Sequence, residues 1–276
     1  MKHHYNFRTS LTLFAALLLS PLFGQAQTIR GDFDMNGTVG MDDLTSMINA
    51  LVFDTYGEPS LEDRDTVTVN GVPFVMVRVH GGTYSSDALD NCIHEVETFC
   101  IGLTEVTRSL WIAVMDSLPN GSTYHSQYPV TGVSWNQCQA FITRLNALTG
   151  LNFRLPSLIE WEYAATGGKF TCGYRYAGSD NLDEVGWYTD NCGPLTISVV
   201  AKKKPNELGL YDMSGNASEW CHDELSDYPG RHCIRGGDAV STERACQTTT
   251  WPTSSIGDYT AYGDESILFS GLRLAL

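Results

Sequence analysis

The clearest patterning of apolar and polar positions lies between residues 66 and 167. Residues 66–69 and 72–79 are rich in Val and are separated by Asn70-Gly71. That dipeptide favours positive φ at both central positions of a two-residue turn, so a β-hairpin is predicted here. Three helices are predicted after it. The first begins near Thr107 and presents Leu110, Trp111, Val114 and Met115 at helical spacing. The second starts at Ser134, which forms a capping box with Gln137. It is expected to bury Phe141, Leu145 and Leu148 and to stop at Gly150. The third starts at Ser157 with Glu160 in the capping position and stops near Gly167. From residue 168 onward the periodicity fades into Gly, Tyr, Asp, Ser and Thr. A long irregular stretch inside a compact domain needs clamps, and disulfides or bound cations are the candidates.

The N-terminus has a different pattern. Lys2 and Arg8 precede an apolar run from 11 to 19, and Gly24-Gln25-Ala26 offers a small-x-small cleavage site. Residues 1–26 therefore read as a secretory signal. The run is too short to span a bilayer, and no later segment is long and apolar enough. Without Lys2 and Arg8 the chain keeps 15 basic against 32 acidic residues, a net charge of −17. Such a charge argues against nucleic acid or anionic lipid as a partner and suits cation binding.

Residues 27–52 form a second unit. Asp32, Asp34 and Asn36 fall at positions one, three and five of an EF-hand-type loop. Gly37 sits at the sharp turn, the Thr38 carbonyl at position seven and Asp43 at position twelve. Hard oxygen ligands in this register are what Ca²⁺ takes. Leu44, Met47, Ile48 and Leu51 then recur at helical spacing. The unit resembles one half of a dockerin, whose usual form has two repeats, so a cohesin-type partner is not expected. Residues 53–65 are polar and acidic and read as a linker.

The chain has eight cysteines, at 92, 100, 138, 172, 192, 221, 233 and 246, and no Cys-x-x-Cys. In an exported chain this points to disulfides rather than a zinc ribbon, with connectivity left open among 105 complete pairings.

The most informative stretch is Gly209-Leu210-Tyr211-Asp212-Met213-Ser214-Gly215-Asn216-Ala217-Ser218-Glu219-Trp220. Two carboxylates flank small residues that let the backbone turn and expose its carbonyls, a Ca²⁺-type ligand set. The same residue types also favour plain polar turns. Upstream stand Glu105-Val106-Thr107, Val133-Ser134-Trp135-Asn136, Phe153-Arg154-Leu155-Pro156-Ser157 and Glu160-Trp161-Glu162. Downstream stand Arg235-Gly236-Gly237 and Gly271-Leu272-Arg273-Leu274. In this order the motifs resemble the formylglycine-generating enzyme family, also called sulfatase-modifying factor domains, over residues 66–276. The resemblance implies an α+β, C-type-lectin-like fold with little regular secondary structure.

It also implies a calcium loop in which Asp212 and Glu219 supply side-chain oxygens and Gly215 and Ala217 supply carbonyls. A second family calcium site near residues 185–203 has no clear register here. The family enzyme oxidises a sulfatase Cys to formylglycine with oxygen and a copper ion held by two Cys. Counted from Gly236-Gly237, the second of these is Cys246 and the first falls on Ser241. A hydroxyl is a poor Cu(I) ligand, so copper is not expected. Asp238, Ala239, Ala245, Gln247 and Ser218 also depart from the family pattern near this centre. Cys221 and Cys246, each following a motif near that centre, are expected to approach each other.

Other candidate chemistry is sparse. His94-Glu95 reads as a surface pair and Lys202-Lys203-Lys204 as a solvated loop. Ser241 with His222 or His232 would make a hydrolytic centre only if the fold joined them. Residues 238–270 combine small polar residues with Trp251, Tyr259, Tyr262 and Phe269. This composition suits adaptable recognition, and with Asp238, Ser241, Ala245 and Gln247 it forms the expected ligand surface. The variable proteins of diversity-generating retroelements are similar in carrying such a C-terminal surface. Two functions follow: an exported calcium-binding module for a protein or glycan, or a divergent oxidase that uses Cys246.

Overall fold

Asn70 and Gly71 adopt φ of 48° and 83°, and the hairpin they turn is β1 (Arg64–Val69) against β2 (Val72–Val79). The computed structural model describes residues 63–85, 92–119, 126–193, 197–249 and 260–276, all within one unit, Glu58–Leu276. The leader, the loop of Asp32, Asp34, Asn36, Thr38 and Asp43, and both Trp251 and Tyr259 lie outside the described residues. Arg64 and Asp65, the last residues of the expected linker, pair with Val77 and Met76 in β1.

β2 also pairs with β5 (Phe99–Gly102), giving a three-stranded antiparallel sheet. A second sheet joins β3 (Gly82–Ser85) to β4 (Ile93–Val96). The three predicted helices follow. In α1 (Arg108–Met115) the Thr107 hydroxyl accepts from the Leu110 N–H. α2 (Trp135–Thr149) and α3 (Leu158–Ala165) each carry a complete capping box, and Gly150 closes α2 at φ 72°. One expectation fails: Leu148 is 49% exposed, because α2 turns Cys138, Phe141, Ile142 and Leu145 inward instead. Trp111 of α1 stacks on Phe141 of α2 at 4.9 Å, and Phe74 of β2 meets Phe153 at 5.6 Å. These rings join both helices and the first sheet in one apolar core.

Beyond α3 the described chain runs mostly as turns, with a short α-helix, α4 (Leu182–Val185), and 3-10 turns at Gly168–Phe170 and Glu243–Cys246. A third sheet, which the apolar pattern did not predict, then assembles in the order β8-β7-β6-β9. It comprises β6 (Ser218–Glu224), β7 (Arg231–Arg235), β8 (Thr260–Tyr262) and β9 (Ser270–Gly271). The C-terminal segment ties the sheets together. Leu274 and Leu276 accept from the N–H groups of Gly102 and Cys100, and Ala275 exchanges hydrogen bonds with Arg154. The result is the expected mixture of helix and sheet with much irregular chain. Among the described residues no helix is long and apolar enough to cross a membrane.

Candidate functional site

The loop before β6 is built around backbone conformations that few residues tolerate. Asp212, Gly215 and Asn216 have φ of 58°, 87° and 65°. At Gly215 a Cβ would stand 2.2 Å from the Trp187 carbonyl oxygen, so only glycine fits. Asn216 is wholly buried and was not singled out from the sequence. Its Nδ2 donates to Glu105 Oε1 (2.9 Å), its Oδ1 accepts from the Ser198 N–H (2.8 Å), and its own N–H donates to the Trp187 carbonyl (2.8 Å). The Asn side chain thus joins Glu105 to the loop across 111 residues of chain.

The two loop carboxylates differ. Glu219 accepts from Trp161 Nε1 at 2.7 Å and from Arg273 Nη2 at 2.7 Å, with both charged groups excluded from solvent. Asp212 Oδ2 accepts from the Ala201 N–H at 2.6 Å, while Oδ1 is buried with no hydrogen-bond partner. Glu105 Oε2 is likewise buried without a partner. Burial pushes the Asp212 carboxyl up to about 6. It pushes Glu105 well above the carboxylate range, with the Asp212 charge adding to the effect. Glu105, Asp212 and Glu219 face one guanidinium, Arg273, so the cluster carries two uncompensated negative charges when ionised. A cavity of about 260 Å³ lined by Thr104, Glu105, Gln127 and Ala201 lies beside it. Among the described residues no three His, Cys, Asp or Glu side chains converge on one metal position. Any cation here would therefore need backbone oxygens as well.

The expected ligand surface begins at the end of β7. Gly236 and Gly237 both have positive φ, and a Cβ on Gly237 would meet Cys246 Sγ at 2.8 Å. The close approach seals Cys246 beneath the backbone, fully buried among Tyr176, Leu182, Val185 and Tyr188. Burial, with the charge of Asp238 next, raises its thiol far above the usual range, so it is held as a thiol at neutral pH. Ser241 is partly exposed, and its Oγ donates to Asp238 Oδ1 at 2.8 Å. The Asp238 N–H donates to Ser241 Oγ at 3.0 Å, closing a tight turn. Above it opens a cavity of about 310 Å³, lined by Asp238, Val240, Ser241, Ala245, Ile267 and Ser270. Gln247 and Phe269 are partly exposed, and Phe269 also gives its carbonyl to the Ser218 N–H. Tyr262 stands further along the sheet, 45% exposed, with the Arg231 guanidinium 5.0 Å from its ring.

Several expectations are corrected. The hydrolytic grouping is not assembled: Ser241 pairs with Asp238, His222 lines a separate groove with Arg154 and Glu160, and His232 stacks on Trp135 at 3.8 Å. Cys221 feels the charge of Cys233, and Cys246 that of Cys192. The lysine run is exposed, as expected: Lys202 and Lys204 face solvent, Lys204 pairing with Glu184 at 2.9 Å, while Lys203 lies over Trp187 at 4.1 Å.

The chain matches the model of the sulfatase-modifying factor enzyme 1-like domain over residues 65–262. It is similar to the chaperone protein LppX of Paenibacillus barcinonensis, 33% identical over 60% of this chain and 79% of that protein. It is also similar to the formylglycine-generating enzyme of Streptomyces coelicolor, 35% identical over 38% of this chain and 35% of the enzyme. The match thus spans about a third of that enzyme's length. Among solved structures, Treponema denticola variable protein 1 superposes with a TM-score of 0.64 and 28% identity, covering 77% of this chain and 98% of that one. PvdO from Pseudomonas aeruginosa shares the fold at a TM-score of 0.61 and 18% identity, over 79% of this chain and 98% of its own.

Proposed function

The chain belongs to the sulfatase-modifying factor enzyme 1-like domain family, and we propose that it is an exported, calcium-binding member that recognises a protein or glycan instead of oxidising a sulfatase cysteine. The observation that carries this reading is the state of position 241. A Cu(I) centre of the family type needs two thiolates. Here one position is Ser241, its hydroxyl committed to Asp238, and the other is a sealed thiol. The residues present do not fit copper, and no step runs through it. The cavity of Asp238, Val240 and Ser241 remains open as a recognition pocket. The 28% identity to a variable protein supports placing the binding face on residues 238–270.

Calcium suits the residues better. Asp212 Oδ1 and Glu105 Oε2 are buried oxygens without partners, and one divalent ion would neutralise the two excess charges. Asp212 with the Gly215 and Ala217 carbonyls would hold it, and Glu105 is added to the set that the sequence suggested. Glu219 would act from its ion pair with Arg273. The ion would fix the loop and do no chemistry. Export is inferred from residues 1–26, and a further calcium loop from Asp32, Asp34, Asn36, Thr38 and Asp43.

One observation favours the enzymatic alternative. Cys246 feels the charge of Cys192, so a second sulfur lies within electrostatic reach of Cys246. Both readings are tested by incubating the purified, copper-supplied protein with a Cys-x-Pro-x-Arg peptide under oxygen and reading its mass. The binding reading predicts no conversion. Conversion lost in Cys246→Ser would establish the oxidase.

A further inference from the structure

β6 and β7 carry one cysteine each, and each cysteine directly follows or precedes the last regular pair of the ladder before its register shifts. Glu219 pairs with Arg235 and Trp220 with Ile234; one step further along each strand stand Cys221 and Cys233, where the register begins to shift. Side chains alternate along a strand, so Glu219 and Cys221 share one face of β6, and Cys233 and Arg235 share one face of β7. The charged residues show that this is the same face. Glu219 takes the Trp161 N–H, and Arg235 pairs with Glu162 at 2.8 Å, both partners lying on α3. The two thiols are therefore roofed by α3. Both are buried, both feel Arg235 and Asp223, and Cys221 feels Cys233. The last regular pair, Trp220 with Ile234, is a facing antiparallel pair, whose Cα atoms lie about 4.5–5.5 Å apart; one further step in that register would bring Cys221 and Cys233 within the roughly 4.4–6.8 Å that a disulfide spans.

We propose that Cys221 and Cys233 are oxidised to a cross-strand disulfide when the chain is exported. The proposal rests on the export reading, because an exported chain meets a disulfide-bearing oxidoreductase. In the reaction one thiolate attacks the oxidoreductase disulfide to give a mixed disulfide. The second thiolate displaces the oxidoreductase sulfur. An S–S bond forms in this chain, two protons and two electrons leave it, and the oxidoreductase becomes a dithiol. The step belongs to folding, before α3 covers the strands. Afterwards burial holds the Cys233 thiol up at about 11, which keeps any reduced pair from exchanging. The bond would close a loop that starts just after the Glu219 loop and ends just before Gly236-Gly237. It would thus fix the hairpin between the cation loop and the recognition pocket.

Trypsin separates the two cysteines, because it cuts after Arg231 and Arg235. Residues 204–231 then hold Cys221 alone, and residues 232–235 hold Cys233 alone. The full chain is secreted from a bacterial host with residues 1–26 attached, blocked with N-ethylmaleimide in denaturant and digested without reductant. The expected result is one species joining the two peptides, two hydrogens lighter than their sum, that splits on reduction. Reduction before refolding should lower Tm by about 10 °C, from the loop entropy released. Maleimide on both peptides, or Cys221 joined to another cysteine, would overturn the proposal. A copy lacking residues 1–26, refolded in a glutathione redox buffer, separates the two ideas. A joined pair there, with no secreted protein, removes export and keeps the disulfide.

Discussion

Arg273, three residues before Leu276, holds the Glu219 carboxylate through Nε at 3.0 Å and Nη2 at 2.7 Å, with both side chains out of solvent. The same guanidinium donates to the carbonyls of Gly102 and Tyr211 at 2.8 Å. One C-terminal residue thus links the first sheet to the loop before β6. Removing one member of a buried pair strands the other charge, at a cost of about 3–5 kcal/mol. Arg273→Ala should lose stability of that order in chemical denaturation. Arg273→Met, which keeps the volume, should fall about as far, because Glu219 still loses its buried partner.

Calcium should stabilise the protein through the orphaned oxygens of Asp212 and Glu105. At a free concentration a hundred times Kd the gain is about 2.7 kcal/mol, or roughly 5–10 °C in Tm for a domain this size. Asp212→Asn should remove most of that gain, with calorimetric titration losing the heat of the loop site. An unchanged titration would place calcium elsewhere.

Gly215→Ala tests the backbone of that loop. The new Cβ would collide with the Trp187 carbonyl oxygen while φ stays at 87°. A loss of about 2 kcal/mol or more is expected, far beyond that of Gly150→Ala, where nothing lies within 4 Å of the Cβ.

His232 gives the protein a pH dependence. It is largely buried against Trp135, and burial lowers its pKa. The unfolded chain, with an ordinary pKa of about 6.5, then binds a proton more readily than the folded one. The neutral ring costs nothing above that value. Stability is lost as pH falls through 6.5 toward the folded pKa. Urea midpoints measured across this window should drop for wild type and drop less for His232→Phe, which keeps the stack.

The first half of the domain was legible because its signals are local. Asn70-Gly71, Ser134 with Gln137, and Ser157 with Glu160 each fix a turn or a helix start within four residues. β6 escaped prediction for a physical reason. Residues 218–221 are all buried, Glu219 is satisfied by an ion pair, and a register shift follows at once, so no alternation survives. Asn216 was hidden because its partner Glu105 lies 111 residues away. Ser241 was picked out by counting from Gly236-Gly237. The sealing of Cys246 was not, since it depends on the fold around Gly237.

The most direct measurement is a Cu(I) competition against a chromophoric chelator, made on wild type, Cys246→Ser and Ser241→Cys. The account predicts that no copper is withdrawn through Cys246, either in wild type, where position 241 is a serine, or in Ser241→Cys, where Cys246 stays sealed beneath Gly237. Withdrawal by wild type that disappears in Cys246→Ser would contradict it, and would mean that a sulfur other than one at position 241 completes a working centre.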